Sequence, residues 1–327
     1  MKLHSIVIPV YNEVAGIEVL FTRMREIADR ITATTGDACE LILVNDGSRD
    51  GSEELLDRLH ARDSRFKVIH FSRNFGHQVA ISAGIEAARG DTVTCLDADL
   101  QDPPEVILEF LQKWREGYEV VYGSRKSRPG ETWVKLITAR VFYRLIRKIT
   151  RLDIPVDAGD FRLIDRKVAD AFISLPERHR YVRGLMSWIG FKQIGVPYNR
   201  QPRTFGETHY PFHKMLKLAF DGISSFSFLP LRMATWAGFA TGFAAFVGIA
   251  YTLYLKFFTN RTITGWTSIL LATLLIGGVQ LMSLGIIGEY LGRMFDEVRR
   301  RPLYLVTRTS GFEAGARVGT PHIRRAS

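Results

Sequence analysis

Apolar runs of strand length at 5–10, 40–44, 67–71, 92–96 and 119–122 alternate with stretches of helical character up to residue 125. This alternation predicts an α/β unit with a mostly parallel sheet covered by helices. Ordinary punctuation supports it. Gly90 follows a helical stretch at 81–89, and Pro103 and Pro104 open a helix that Gly117 closes, with Asp102 expected as its N-cap. In such sheets ligands bind beyond the carboxyl ends of the strands. Four of the five runs end in polar clusters: Tyr11-Asn12-Glu13, Asn45-Asp46-Gly47-Ser48, Ser72-Arg73-Asn74 and Asp97-Ala98-Asp99-Leu100-Gln101-Asp102. The topology delivers all four to one rim, so a shared pocket is expected there.

The pattern changes in the second half. Residues 233–255 and 262–288 carry no charge, and each stretch exceeds the ~20 residues a helix needs to cross ~30 Å of hydrocarbon. Arg232 precedes the first, Arg293, Arg299, Arg300 and Arg301 follow the second, and only Lys256 and Arg261 lie between them. That bias predicts a two-span hairpin with both flanks in the cytosol. Ahead of the spans, Trp133, Ile137, Val141, Leu145 and Ile149 form an apolar stripe flanked by Lys135, Arg140, Arg144, Arg147, Lys148 and Arg151. A basic amphipathic helix over 131–151, with another over 211–226, suits the surface of a membrane carrying anionic lipids. The expected organisation is a cytosolic catalytic unit at 1–230, a two-helix anchor at 231–295 and a basic tail at 296–327, mobile from Thr309 onward.

Composition narrows the partners. Lys and Arg number 44 against 34 Asp and Glu, a formal charge of +10, which favours an anionic partner. The basic residues concentrate beside the apolar segments and form no nucleic-acid reading motif, so a phosphorylated substrate and lipid head groups are expected and nucleic acid is not. Only two cysteines are present, without metal-ligand spacing, which argues against a disulfide framework or a zinc site. The N-terminal apolar run is too short for a signal peptide, so the first unit is expected to stay cytosolic.

The sharpest chemical feature is Asp97-Ala98-Asp99, because side chains two apart in extended chain point the same way. Two carboxylates on one face repel unless a cation sits between them and an anionic ligand, and hard oxygens suit Mg²⁺ or Mn²⁺. Gln101 adds a neutral oxygen. Asn45-Asp46-Gly47-Ser48 by itself is a common turn, but placed after a strand and beside Pro9, Tyr11 and Glu13 it could receive a nucleoside. Other nucleotide folds lack their marks here: there is no GxxxxGK[ST] and no GxGxxG after the first strand. There is no HExxH either, and His209 and His213 flank a proline, so both are read as structural.

Together these motifs resemble the membrane-anchored family 2 glycosyltransferases with a GT-A fold, in particular the bactoprenol glucosyltransferases and relatives of dolichol-phosphate mannose synthase. The resemblance runs from about Ile6 to Arg308. It is carried by Ile8-Pro9-Val10-Tyr11-Asn12-Glu13, Asn45-Asp46-Gly47-Ser48, Ser72-Arg73-Asn74-Phe75-Gly76, Asp97-Ala98-Asp99-Leu100-Gln101-Asp102, Gly159-Asp160-Phe161-Arg162-Leu163 and Gly288-Glu289-Tyr290-Leu291-Gly292-Arg293. It implies metal-dependent, inverting transfer of a sugar, glucose in the first instance, from a UDP-sugar to a polyprenyl phosphate at the bacterial inner membrane. Pro9, Tyr11, Asn12, Glu13, Asp46, Asp97 and Ala98 would hold the nucleotide sugar, and Asp97, Asp99 and Gln101 the metal.

The family's proposed base falls on Asp160, with Asp157 as the alternate. A phosphate monoester is already largely dianionic near neutral pH, its second pKa being about 6, so little proton abstraction is needed and Asp160 could instead orient the acceptor or balance arginine charge. Arg200 and Arg203 lie in a stretch that resembles the family's mobile loop over the donor phosphates. Arg125, Lys126 and Arg128 suit the acceptor phosphate, with a generic lipid-binding patch as the alternative. Glu289, beside Tyr290 and Arg293, is expected to make an interfacial ion pair or a subunit contact, and Gly277, Gly278, Gly285 and Gly288 would permit close packing of spans in a homo-oligomer. The sugar stays open among glucose, mannose, galactose and an aminoarabinose derivative, and a non-catalytic nucleotide-sugar-binding scaffold is the competing class. A processive synthase would need a Gln-x-x-Arg-Trp element, which is absent.

Overall fold

Four strands whose apolar residues face both ways form the centre of the structure. In the computed structural model, which describes residues 1–125, 158–178, 180–201, 229–258 and 265–312, β1 (Leu3–Val10), β2 (Ala38–Asn45), β3 (Phe66–Phe71) and β4 (Thr92–Cys95) are almost wholly buried. Their pairing is parallel, in the order β4-β1-β2-β3. The chain therefore reverses direction along the sheet between β1 and β4, and their carboxyl ends flank the crevice where open α/β sheets bind ligands.

Intervening helices cover the faces. In α1 (Ile17–Thr35) the buried residues Ile17, Leu20, Phe21, Met24, Ile27, Ala28 and Ile31 recur at three- and four-residue spacing, and left-handed Gly36 ends the helix by donating its N–H to Thr32 O. Next come α2 (Ser52–Arg62), α3 (His77–Ala87) and α4 (Val106–Arg115). Helix α3 lies so close to β1 that a Cβ on Gly84 would stand 2.1 Å from Val7 Cγ1. Gly84→Ala is therefore expected to destabilise the protein by about 1–3 kcal/mol through overpacking, read as a lower denaturant midpoint at unchanged slope.

Three further strands widen the sheet. β5 (Val120–Arg125), β6 (Ala158–Asp165) and β7 (Gln193–Tyr198) extend it beyond β4, and β6 runs antiparallel to both β4 and β5. Two short helices, α5 (Arg166–Ser174) and α6 (Val182–Ile189), connect β6 to β7. Phe161 of β6 packs 4.7 Å from Phe110 of α4, joining this extension to the core. The five predicted strands are present, whereas β6 and β7 carry Gly, Arg, Pro and Gln within short segments that weaken an apolar signature.

The C-terminal region corrects an expectation. Residues 306–310 do not continue a loose tail: Val306–Ser310 forms β8, antiparallel to β3, and completes an eight-stranded sheet in the order β7-β5-β6-β4-β1-β2-β3-β8. Without β8, β3 would expose a row of unpaired backbone groups. Tyr304, 4% exposed, anchors the return by stacking 4.9 Å from Phe71 and donating its hydroxyl to Glu86 at 2.9 Å. The chain accordingly divides into one unit of Met1–Pro211 with Arg301–Ser327 and a second of Phe212–Arg300.

In that second unit, α7 (Leu229–Phe258) and α8 (Trp266–Arg299) pack on each other. Both are long and apolar enough to cross a membrane, over Pro230–Leu255 and Leu275–Arg299, and large side chains such as Phe239, Phe243, Phe246, Leu281 and Met282 are exposed. The expected second span at 262–288 starts before α8 and ends within it. Glu289 and Arg293 make the anticipated ion pair one helical turn apart, at 3.0 Å. The two amphipathic segments, 131–151 and 211–226, lie outside the described residues.

Candidate functional site

The rim at the ends of β1, β2 and β4 is built by backbone turns that side chains fasten. After β1, Asn12 adopts φ +53°; its N–H donates to Ser48 Oγ at 3.0 Å and its Oδ1 accepts the Arg49 N–H at 2.9 Å. After β2, Asn45 Oδ1 accepts the Ser48 N–H at 3.0 Å. Gly47 has φ +67°, and a Cβ there would lie 2.4 Å from the Arg73 carbonyl carbon, so only glycine lets the two loops meet. Pro9 is buried in β1, while Tyr11 is 47% exposed at the rim beside Glu13.

Asp46 has an occupation that its motif does not reveal. It is 3% exposed, and its two oxygens accept the N–H groups of Phe75 at 2.7 Å and Gly76 at 3.0 Å. Burial pushes its carboxyl up, against the pull of those two N–H groups, His77 and Arg73. Asp46 thus ties the loop after β3 to the turn after β2.

Beyond β4 stands a group of carboxylates. Asp97 Oδ1 lies 3.4 Å from His77 Nε2, and the same nitrogen lies 3.5 Å from Asp160 Oδ2, so one imidazole at the start of α3 bridges two acids. Burial, reinforced by the nearby Asp160, Asp102 and Asp99, pushes the Asp97 carboxyl up to about 6, with His77 opposing. Asp99 Oδ1 accepts the Gln101 N–H at 3.1 Å, and Leu100 between them takes φ +53°. Ala98 is buried beneath this turn.

Asp160 is locked. Arg183 of α6 holds it through a two-pronged contact, Nε to Oδ1 at 2.9 Å and Nη2 to Oδ2 at 3.0 Å, and Gln78 Nε2 donates to Oδ2 at 3.2 Å. Gln78 Oε1 in turn accepts the Val182 N–H at 3.0 Å, which fixes α6 to α3. Burial alone would raise the carboxyl, but Arg183, His77 and Arg162 outweigh it and hold it well below the usual carboxylate range. A carboxylate with both oxygens engaged and so acidic is a weak proton acceptor.

Asp102 is the clearest correction. It does not cap α4, whose N-cap is Glu105 without a side-chain bond. Asp102 is instead 1% exposed; it accepts the Tyr198 hydroxyl at 2.5 Å and lies 3.4 Å from Arg200 Nε and 3.8 Å from Arg125 Nη2. Gln101 O also accepts the Gln201 N–H at 2.8 Å, stitching the acidic turn to the chain after β7. Arg125 and Arg200, from segments read separately in the sequence, therefore converge on one buried acid. Lys126, Arg128, Asp157 and Arg203 lie outside the described residues.

The donor set suits a hard cation. Asp97 and Asp99 supply carboxylate oxygens beyond the end of β4, the hard donors that a divalent ion takes. Among the described residues no three acidic, histidine or cysteine side chains form a complete cage, so a ligand's own oxygens would have to finish the coordination. Cys39 and Cys95 are free, and burial pushes both thiols up to about 12, which removes them as nucleophiles. Sequence reasoning missed His77, Gln78, Arg183 and Tyr198. His77 and Gln78 directly follow Asn74-Phe75-Gly76 and were within reach of that motif; Arg183 and Tyr198 carried no local mark.

Comparison with known proteins identifies the family. The model of the family described as "Glycosyl transferase family 2" matches residues 5–172. The uncharacterized glycosyltransferase YkcC of Bacillus subtilis is 52% identical over 310 residues, 95% of each chain. The prophage bactoprenol glucosyl transferase homolog of Escherichia coli K12 is 36% identical over 308 residues, covering 94% of this chain and 99% of that one. Among solved structures, mannosyl-3-phosphoglycerate synthase from Rubrobacter xylanophilus superposes with a TM-score of 0.50 at 18% identity, over 68% of this chain and 72% of that one, a likeness of fold.

Proposed function

The chain belongs to glycosyl transferase family 2 and is a glycosyltransferase of GT-A fold, and from that premise we propose that it transfers glucose from UDP-glucose to a polyprenyl phosphate. The reading places the reaction at the cytosolic face of the bacterial inner membrane, with inversion at the anomeric carbon. One observation carries it: similarity to a bactoprenol glucosyl transferase homolog extends over 94% of the chain, including the two apolar helices as well as the acidic rim.

In this reading an oxygen of the lipid phosphate attacks the anomeric carbon, the bond from that carbon to the diphosphate oxygen breaks, and UDP leaves with the electron pair. The acceptor is largely dianionic at neutral pH, so the step needs no strong base, and the main barrier is charge on the departing diphosphate. A divalent ion held by Asp97 and Asp99 would neutralise that charge. Arg125 and Arg200 supply further positive charge, and Tyr198 and Asp102 keep both guanidinium groups at the rim. The turns carrying Tyr11, Asn12 and Glu13 and Asn45 to Ser48 receive the nucleoside. Asp160 serves by fixing Arg183 and His77 and not by accepting a proton.

The full-length protein in nanodiscs, given UDP-[14C]glucose and undecaprenyl phosphate, should yield a labelled lipid that mild acid hydrolyses. EDTA should stop the transfer, and Mg²⁺ or Mn²⁺ should restore it. Label transferred from another nucleotide sugar in preference would replace glucose in this reading. No lipid product from any donor would overturn it in favour of a binding scaffold, and undiminished activity in EDTA would remove the metal.

A further inference from the structure

A path of hydrogen bonds, buried at its centre by His70 and Asn45, runs from the returning C-terminal strand to the nucleoside turn. His70 of β3, 1% exposed, sits between Asn45 and Asp57. Asn45 Oδ1 already accepts the Ser48 N–H, so its Nδ2 faces His70 Nδ1 at 3.0 Å. An amide nitrogen only donates, hence Nδ1 accepts and the ring proton resides on Nε2, which donates to Asp57 Oδ1 at 3.2 Å. Asp57 is held from its other side by β8, whose Ser310 Oγ donates to it at 2.9 Å and whose Arg308 guanidinium pairs with it and, at 3.1 Å, with Glu53. Thr307 Oγ1 adds a bond to His70 O at 3.1 Å.

The other end of the path is the rim itself, where Ser48 Oγ accepts the N–H of left-handed Asn12. At its centre is a buried imidazole in a strand whose neighbours Val68 and Ile69 are apolar. A buried imidazole bonded at both nitrogens is costly to leave without either partner, and the two bonds hold it in one geometry. Packing an edge strand against β3 would not by itself require it.

We propose that β8 belongs to the donor-binding apparatus: Arg308 and Ser310 set Asp57, Asp57 sets His70, and His70 sets the turn from Asn45 to Ser48 that receives the nucleoside of a nucleoside diphosphate sugar. This inference rests on the glycosyltransferase reading above and adds to it four positioning residues, Asp57, His70, Arg308 and Ser310. Because α8 ends at Arg299 and β8 begins at Val306, the chain leaving the second apolar helix is the same chain that braces the nucleoside turn.

The test uses full-length protein in nanodiscs and two readouts, UDP affinity by calorimetry and hydrogen exchange of the amides at 45–50. Ser310→Ala and Arg308→Ala should each weaken UDP binding about three- to tenfold, the size expected for one lost hydrogen bond or charged contact. The donor KM should rise in step, while kcat and the KM for undecaprenyl phosphate stay within about twofold. Amides at 45–50 should exchange faster, and Arg308→Lys should recover most of the loss. If Arg308→Ala fails to fold, Ser310→Ala still removes a single bond. Unchanged UDP affinity and unchanged exchange in folded variants would overturn the inference, as would a loss shared equally by donor KM, acceptor KM and kcat. A wild-type protein that binds no nucleoside diphosphate would overturn the functional reading and this inference together, whereas altered exchange without altered UDP affinity would overturn the inference alone.

Discussion

Asp97→Asn is expected to lower glycosyl transfer about 10²–10³-fold, the loss typical of removing one electrostatic contact to developing charge, while thermal stability in EDTA stays level or rises. The two effects have one cause. Asp97 shares its surroundings with Asp160, Asp102 and Asp99, with the His77 imidazole beside it at 3.4 Å in opposition. Removing one negative charge relieves repulsion in the unliganded protein and replaces an anionic oxygen donor by a neutral amide that holds a divalent cation far less well. Such opposition between stability and activity is characteristic of a site assembled for a ligand and not for the fold. Transfer rates with saturating Mg²⁺ and melting curves in EDTA check both halves. Activity within a fewfold of wild type would dismiss Asp97 from the reaction, and a large fall in melting temperature would make it a structural residue.

Asp160→Asn should behave differently, losing both stability and activity. Its carboxylate is buried and gripped by Arg183, so neutralising it strands positive charge on Arg183 and on Arg162, itself 4% exposed. Breaking one side of a buried pair costs about 3–5 kcal/mol, and here about 3 kcal/mol is expected because Arg183 keeps partial contact with water. A general base and a positioning residue then part company in the pH profile. If Asp160 were the base, the variant would lose the acidic limb of kcat; as a positioning residue it lowers kcat across the range and leaves the shape of the profile unchanged. Arg183→Gln should cause a comparable loss, and the double variant should be little worse than either single one, since the two side chains act as a unit. Additive losses would show that they do not.

Much of this architecture was legible because it is written locally. The five apolar runs at 5–10, 40–44, 67–71, 92–96 and 119–122 became β1 to β5, and the uncharged stretches lie largely in α7 and α8, since burial on both faces of a strand, or a helix apolar all round and long enough for lipid, leaves a continuous mark on composition. The acids of the rim were legible for a related reason. Topology alone sends the residue after each parallel strand to the same edge.

The partners of those acids were not legible. Asp102 looked like a helix cap because a short polar residue before two prolines is an ordinary helix start. Its actual partner, Tyr198, lies 96 residues away, and Asp160 meets Arg183 across 23 residues and a change of element. β8 stayed hidden for want of an apolar run: its residues are Val306, Thr307, Arg308, Thr309 and Ser310, and its bonds to Asp57 span more than 250 positions.

The sequence by itself determined which kind of sheet forms, which edge of it carries acids, and that two helices are apolar enough for lipid, because periodicity, turn chemistry and hydropathy act over a few residues at a time. Only the tertiary structure decided what each acid does. Whether a carboxylate sits among other acids beside an imidazole, like Asp97, or is consumed by an arginine, like Asp160, depends on which distant side chain arrives beside it and how much water the meeting excludes, and neither is a property of any short stretch of chain.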